Sequence, residues 1–440
     1  MRSAGPRGRR LSGVGALAVA LAPVATGAVV ASLAPAWILP LVVLVLPLRL
    51  EVGAGADLPT LVLLGGALGR APALARAAAR QPLAAAAFAA LPVWVAVSGL
   101  WARQPLFAAR EAAKWAAVSL AALLALADER RDPRPLVAAA CLALVPSAGW
   151  AIAERLGLLP PRGDPEELRL RLIDVGGLVR GRALFYHPNR LAEFVEQLGL
   201  LLVACAVWGP LAVAATAGAL LAVAGTWASG STAGIAVMTG GGLVAAASFL
   251  AWRARTRRAA GRSAERVGAG RGVAVAIALA ATAAVAGAVV VVAYQVHGGL
   301  GPRAIVYREA WQVIRRAPLL GVGGGNWGFE MASEPMRRFW FAGHTHSLVL
   351  QLWVELGLIG VLVGAVFFGV PIALGVRGAA RADPTWRGIA AGACAGVLAV
   401  LAHDLVHYFL REPADGLLTG VLLGLAAASA RPPAAGERAP

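Results

Sequence analysis

Four stretches concentrate side chains able to do acid–base or anion chemistry. "GHTHSLVLQLWVELGLIG" (343–360) sets His344 and His346 at the mouth of an apolar run, with Glu355 nine positions beyond His346. An imidazole changes charge near neutral pH and suits proton transfer. On one continuous helix, residues nine apart face opposite sides, about 13 Å apart along the axis. Glu355 is then no partner of His346 and instead forms a stripe with Ser347 and Gln351 at four-residue spacing. A metal on the two histidines needs further acidic or thiol ligands, and the stretch supplies none, so no metal site is expected. "VRGRALFYHPNRLAEFVEQLG" (179–199) places Arg180, Arg182 and Arg190 around His187, Pro188 and Asn189. Pro188 breaks the chain before a helix and Asn189 fits its N-cap. Backbone N–H groups flanked by arginines make a phosphate site. Equally, Asn189 only caps and the arginines reach lipid headgroups. In "RAIVYREAWQVIRRAPLLGVGGGNWG" (303–328), Arg303 heads a stretch in which Ile305, Trp311 or Ala310, and Val313 or Ile314 recur at helical spacing. Pro318 ends it. The glycines that follow make a turn or a nest of amides over an anion. They follow a helix, without a surrounding βαβ unit, so a dinucleotide loop is excluded. His403 and His407, spaced i, i+4 beside Asp404 and Asp415, form a metal or proton-relay face or a satisfied polar patch.

The elements that must position these groups are membrane helices. The 440 residues are 59% hydrophobic and 14% charged, with a mean hydropathy of +0.72. That composition is a polytopic membrane protein's, not a soluble domain's. The net charge of +17 is nearly all arginine, set between apolar runs. This is the pattern of cytoplasmic loops, and no nucleic-acid partner is expected. Cys141, Cys205 and Cys394 lie inside apolar runs and read as small buried hydrophobes. The basic, then apolar, N-terminus reads as a first membrane segment. Candidate spans are 13–33, 35–50, 57–70, 82–101, 111–127, 135–155, 190–208, 210–228, 231–252, 273–295, 350–376, 388–411 and 414–430. The arginine-rich loop 253–272 should be cytoplasmic, and 70–81, 128–134 and 377–387 then fall on the same side. An odd number of spans would put the basic N-terminus outside, so one stretch within 13–70 is expected not to span. The expectation is an all-α, polytopic integral membrane protein of about twelve transmembrane helices, one domain over 1–440. The loops 156–189 and 296–349 face outward, the second long enough for a short helical extracytoplasmic lid. The tail 431–440 reads as disordered.

Together these motifs resemble the O-antigen ligase/polymerase superfamily of bacterial cell-envelope glycosyltransferases. Arg303–Trp327 is similar to its arginine, amphipathic helix and "PLLGVG-G-N" signature. "HTHSLVLQLWVELGLIG" is similar to its "H-x-H-N-x-x-L-x-x-x-x-E-x-G-x-x-G" signature, and "GRALFYHPNRLAE" to its arginine-to-"PN" motif. "LVLPLRLEVGAGADLPTL" resembles its early segment. The resemblance implies transfer of a glycan from an undecaprenyl-diphosphate-linked donor, with no cofactor, to a hydroxyl of a glycan or lipid-core acceptor such as a lipid A core. The place would be the outer face of the bacterial cytoplasmic membrane, among membrane lipids. It implies Arg303 at the donor diphosphate and His346 as the acceptor-side catalytic residue. Arg182, Arg180, Asn189, Asn326 and Ser347 would bind substrate, and Glu355 and Gly357 would be structural. Two departures stand out. Ser347 replaces the asparagine after the histidine. The mid-chain "T-x-S-R" stretch is "TWASGSTAG" (226–234), without its arginine, for which Arg180 or Arg182 must substitute. The alternative from another class is a transporter or flippase for a lipid-linked anionic glycan, which broken helices and internal repeats at the bilayer midplane would favour.

Overall fold

In hydrocarbon the backbone must satisfy its own hydrogen bonds, so an apolar chain of this kind folds into helices. The structure, a computed structural model, describes residues 13–48, 51–52, 56–128, 132–160, 179–208, 211–243, 302–330, 343–381, 384–408, 410 and 412–430. The basic loop 253–272, the span 273–295 and the tail 431–440 lie outside the described residues. In chain order the helices are α1 (Gly13–Leu33), α2 (Ile38–Val45), α3 (Leu58–Gly69), α4 (Ala71–Arg80), α5 (Pro82–Ser98) and α6 (Pro105–Leu126). They continue with α7 (Arg134–Leu144), α8 (Trp150–Arg155), α9 (Pro188–Trp208), α10 (Ala212–Ser229) and α11 (Thr232–Leu243). The last are α12 (Pro302–Arg316), α13 (Trp327–Glu330), α14 (Leu348–Arg381), α15 (Pro384–His403) and α16 (Pro413–Ala428). Glu51–Val52 pairs antiparallel with Ala56–Asp57 in a short hairpin. Asp57 then caps α3, its Oδ1 accepting from Thr60 N at 2.8 Å.

Among the described residues five helices are long and apolar enough to cross a membrane: Arg134–Arg155, Pro188–Trp208, Ala212–Ser229, Leu348–Ala380 and Trp386–His403. Shorter apolar helices accompany them, and apart from the short hairpin the described residues form a helical, polytopic membrane protein. The region 13–70 departs from a run of straight spans. α3 and α4 meet at Arg70 with a bend of 78°. Residues 71–80, expected as loop, are helical, with Ala73 and Ala77 buried and arginines on the other side.

The bundle is built around α9, which packs chiefly on α15 and α10, while α16 lies along α6. Glycines allow the closest approaches. A Cβ at Gly420 or Gly424 would stand 2.3 or 2.1 Å from the carbonyl oxygens of Val118 and Ala122 on α6. A smaller apolar cluster joins α12 to the bundle through Val306, Ala310, Val313, Ile314, Trp327 and Val354. The face of α12 keeps Ala310, Val313 and Ile314 of the sequence expectation, but Val306 replaces Ile305, and Ile305 and Trp311 are exposed.

α14 is broken at Gly357 (φ 70°, ψ −174°). A helix break frees carbonyls before it and N–H groups after it, and each needs a partner when buried. The Pro318–Gly323 segment supplies most of them. Val354 O accepts from Val322 N at 3.0 Å and Glu355 O from Gly323 N at 2.8 Å. Leu358 N donates to Pro318 O at 2.9 Å and Ile359 N to Leu319 O at 3.3 Å. Trp94 Nε1 donates to Leu356 O at 3.1 Å. The glycine loop therefore seals a helix break. Its amides at 321–324 are all used within the protein, which removes the anion-nest reading: Gly321 N goes to Ala317 O and Gly324 N to Ser98 Oγ.

Candidate functional site

Three non-helical corners meet at the start of α9, the start of α14 and the end of α15. At the first, Pro188 opens α9, because its fixed φ and missing N–H suit the first helical position. The cap is consequently His187, not Asn189: Nδ1 of His187 accepts from Asn189 N at 3.1 Å. The preceding strand-like segment is pinned from below. Glu154 Oε2 accepts from Arg182 N at 2.7 Å and Ala183 N at 2.9 Å, and Gly181 N donates to Ala228 O at 2.8 Å. Arg180 then turns inward. Its Nε donates to Ser229 O at 2.8 Å and its Nη2 to Asn189 Oδ1. A guanidinium only donates, so it fixes the Asn189 amide with its NH2 toward His407. That Nδ2 lies 3.0 Å from His407 Nε2. The network thus assigns an acceptor lone pair to Nε2 and the proton of the neutral ring to Nδ1. Arg180 also lies across Gly230, the position after Ser229 in the stretch that lacks an arginine, with side-chain atoms 3.2 Å from where a Cβ would be.

The second corner carries His346 outside α14. Its φ of 56° is a left-handed conformation that a non-glycine residue adopts at a cost. The turn is held by Leu348 N to Asp404 O at 2.7 Å, Thr345 N to Gln351 Oε1 at 2.7 Å and Thr345 Oγ1 to Ser347 O at 2.9 Å. His346 N donates to His344 Nδ1 at 3.2 Å, and the two rings sit 4.2 Å apart. The premise of one helix through His346 and Glu355 fails, since α14 begins at Leu348. The two still part company. Gln351 turns back to the histidine corner, whereas Glu355 Oε1 accepts from Trp327 N at 3.3 Å, beside the glycine loop. Asn326 goes with Glu355 rather than with the histidines. Its Oδ1 accepts from Gln104 N at 2.8 Å and its Nδ2 donates to Gly324 O at 2.8 Å and Gln104 O at 3.3 Å.

The third corner follows α15. His403 is that helix's last residue, and His407 lies beyond a turn, so the pair does not share one helical face. Their rings nevertheless meet at 5.0 Å. Arg303, His403, His346 and His187 are all close enough to act electrostatically on His407. Tyr307, one turn along α12 from Arg303, donates to His346 O at 3.5 Å. Burial pulls the Arg303 guanidinium below its ordinary value, and the neighbouring Tyr307 partly offsets this. It remains a cation, and in a water-poor place it attracts an anion more strongly than it would in solvent. Ser347 is buried in the same turn. Arg182 stays on the loop surface, its Nη1 donating to Tyr186 O at 3.2 Å.

Sequence reasoning singled out His403, Asp404 and Asp415 but passed over their partners on α9. Glu193, Glu196 and Gln197 are fully buried, as are His403, Asp404 and Asp415. Glu196 grips His403, with Oε1 and Oε2 at 3.0 and 3.1 Å from Nδ1. The signal was present: two glutamates three apart within an apolar span are costly and mark a working interior. Among the described residues no three His, Cys, Asp or Glu side chains converge as a metal site.

No curated protein matches the chain. Residues 217–365, which take in Arg303, the glycine loop, the His346 corner and Gly357, match the family model described as O-Antigen ligase. The chain is thus a membrane protein about a third of whose length, residues 217–365, is similar to the O-antigen ligase family.

Proposed function

We propose that this protein transfers a glycan from an undecaprenyl-diphosphate carrier to an acceptor hydroxyl at the outer face of the cytoplasmic membrane. The observation that carries the reading is the meeting of three chain corners: Leu348 N on Asp404 O, Asn189 against His407, His407 against His403, and Tyr307, one turn from Arg303, on His346 O. Arg303 pairs with the donor diphosphate, and Arg182, on the loop leading to this junction, adds a second guanidinium. Arg180 stands behind them and holds Asn189, while Ser347 lies beside the acceptor. As the acceptor oxygen attacks the anomeric carbon, the carbon–oxygen bond to the diphosphate breaks and its electron pair goes to the diphosphate. Charge growing on that leaving group is stabilised by the arginines more in the transition state than in the ground state. His346 takes the hydroxyl proton. α12 forms the lid over this junction, and about twelve spans surround it.

The test is transfer of a radiolabelled lipid-diphosphate glycan by the purified full chain in detergent. Arg303→Ala and His346→Ala should each lower transfer at least about a hundredfold while the protein still inserts. Near-normal transfer by either removes that residue from the mechanism. The carboxylates buried inside the bundle suit a second reading, a transporter or flippase for the same lipid-linked anion. Movement of the lipid across vesicles without covalent transfer would select it.

A further inference from the structure

Beneath the junction, His403 is fully buried and oriented by a carboxylate, as a base would be. Its Nδ1 is held by both oxygens of Glu196, and its other nitrogen, Nε2, has no hydrogen-bond partner among the described residues. Its ring stacks edge-on against His407 at 5.0 Å. A buried Nε2 left open behind an Nδ1–H to a carboxylate is a place to put a proton, because the imidazolium formed there is already paired. The other charged or titratable groups facing this pair are Asp404 and Arg303 toward His403, with Glu193, Asp415 and Arg190 in the same layer. Glu193 of the same layer is fully buried and has neither oxygen hydrogen-bonded among the described residues.

We propose that the Glu196–His403 pair is the proton store of the transfer site, an inference that rests on the glycan-transfer reading above. The acceptor O–H bond breaks as the oxygen bonds to the anomeric carbon, and the carrier diphosphate leaves with the electron pair of its carbon–oxygen bond. The proton passes from the His346 corner by way of His407 to Nε2 of His403. It returns to the departing diphosphate or to water after the products leave. Glu196 touches no substrate and is a positioning residue: it holds the ring and balances the charge it gains.

The experiment uses the full-length protein in lipid nanodiscs with a radiolabelled lipid-diphosphate glycan donor, measuring kcat, donor KM and the solvent deuterium isotope effect. Glu196→Gln should lower kcat at least tenfold, leave donor KM within twofold and raise the isotope effect on kcat, since the proton step becomes limiting. Glu196→Asp should recover part of kcat. A variant with wild-type kcat and isotope effect, or a loss expressed wholly in KM, overturns the proton store. If Glu196→Gln does not fold, His403→Gln is judged by the same criteria. Failure of the wild-type protein to transfer glycan at all would instead overturn the function on which the inference rests.

Discussion

Gly357 and His346 both hold left-handed backbone, at φ 70° and 56°, eleven residues apart at either side of the same helical turn-in. At Gly357 the conformation is free of steric cost, and neighbouring backbone and Trp94 take up the groups released by the break. At His346 a positive φ falls on a residue with a Cβ, and its ring lies close enough to His407 to act on it electrostatically. The first irregularity is closed on itself. The second is open toward chemistry. Backbone strain tolerated where a glycine would have served is a sign that the side chain is wanted there.

The comparison breaks most easily at Gly357. A Cβ there would lie 2.0 Å from Leu319 O, which is backbone and has nowhere to go. Gly357→Ala should cost more than about 4 kcal/mol, at the extreme of single substitutions. In practice the protein should be lost from the membrane fraction or unfold far earlier in detergent. A well-folded Gly357→Ala protein would show that the glycine loop does not seal the break as described. Asn326→Ala comes next. It removes three hydrogen bonds that tie the loop to Gln104 and Gly324, at a cost of about 2–3 kcal/mol for the buried groups left behind. Turnover per folded molecule should be unchanged. A specific loss of turnover at full stability would move Asn326 into the site.

His346→Gly sharpens the other side. Glycine relieves the left-handed strain but adds freedom to the unfolded chain, so stability should change by no more than about 1 kcal/mol in either direction. Transfer should nevertheless fall at least a hundredfold. Thermal unfolding in detergent and the glycan-transfer assay, run on one preparation, separate the two effects. Activity surviving in this variant would make the φ of 56° an accident of packing rather than the mark of a working residue.

How far the site could be read from sequence follows the same division. Local signals carried well. The proline at the start of α9, the helix from Arg303 and its end before Pro318 were set by residue types acting on their own neighbours. The phase of α12 was not, because Ile305 and Val306 are equally apolar and only the partner surface, Trp327 and Val354, decides which is buried. The cap of α9 went to His187 because proline's preference for the first helical position outweighs asparagine's for the cap. Glu196 against His403 joins residues 207 apart, and no local pattern encodes such a pair. The glutamates were visible as charges inside an apolar span, but their partners become known only once α9 and α15 are packed together.

The smallest expected effect tests whether the seal at Gly357 is a backbone device or owes its strength to the tryptophans around it. Trp353 Nε1 donates to Pro318 O at 3.0 Å, yet that carbonyl also accepts from Leu358 N at 2.9 Å. Trp353→Phe therefore leaves no acceptor orphaned, and the ring can stay against Trp311, whose centroid is 6.0 Å away. The cost should be no more than about 1 kcal/mol, the net worth of one part-exposed hydrogen bond. Trp94→Phe removes a donor from Leu356 O, a carbonyl freed by the break itself, and should cost more. Equal losses for the two variants would mean that ring packing, not satisfaction of the freed carbonyls, holds the break together. A small loss for Trp353 beside a larger one for Trp94 would leave the seal a matter of hydrogen-bond accounting.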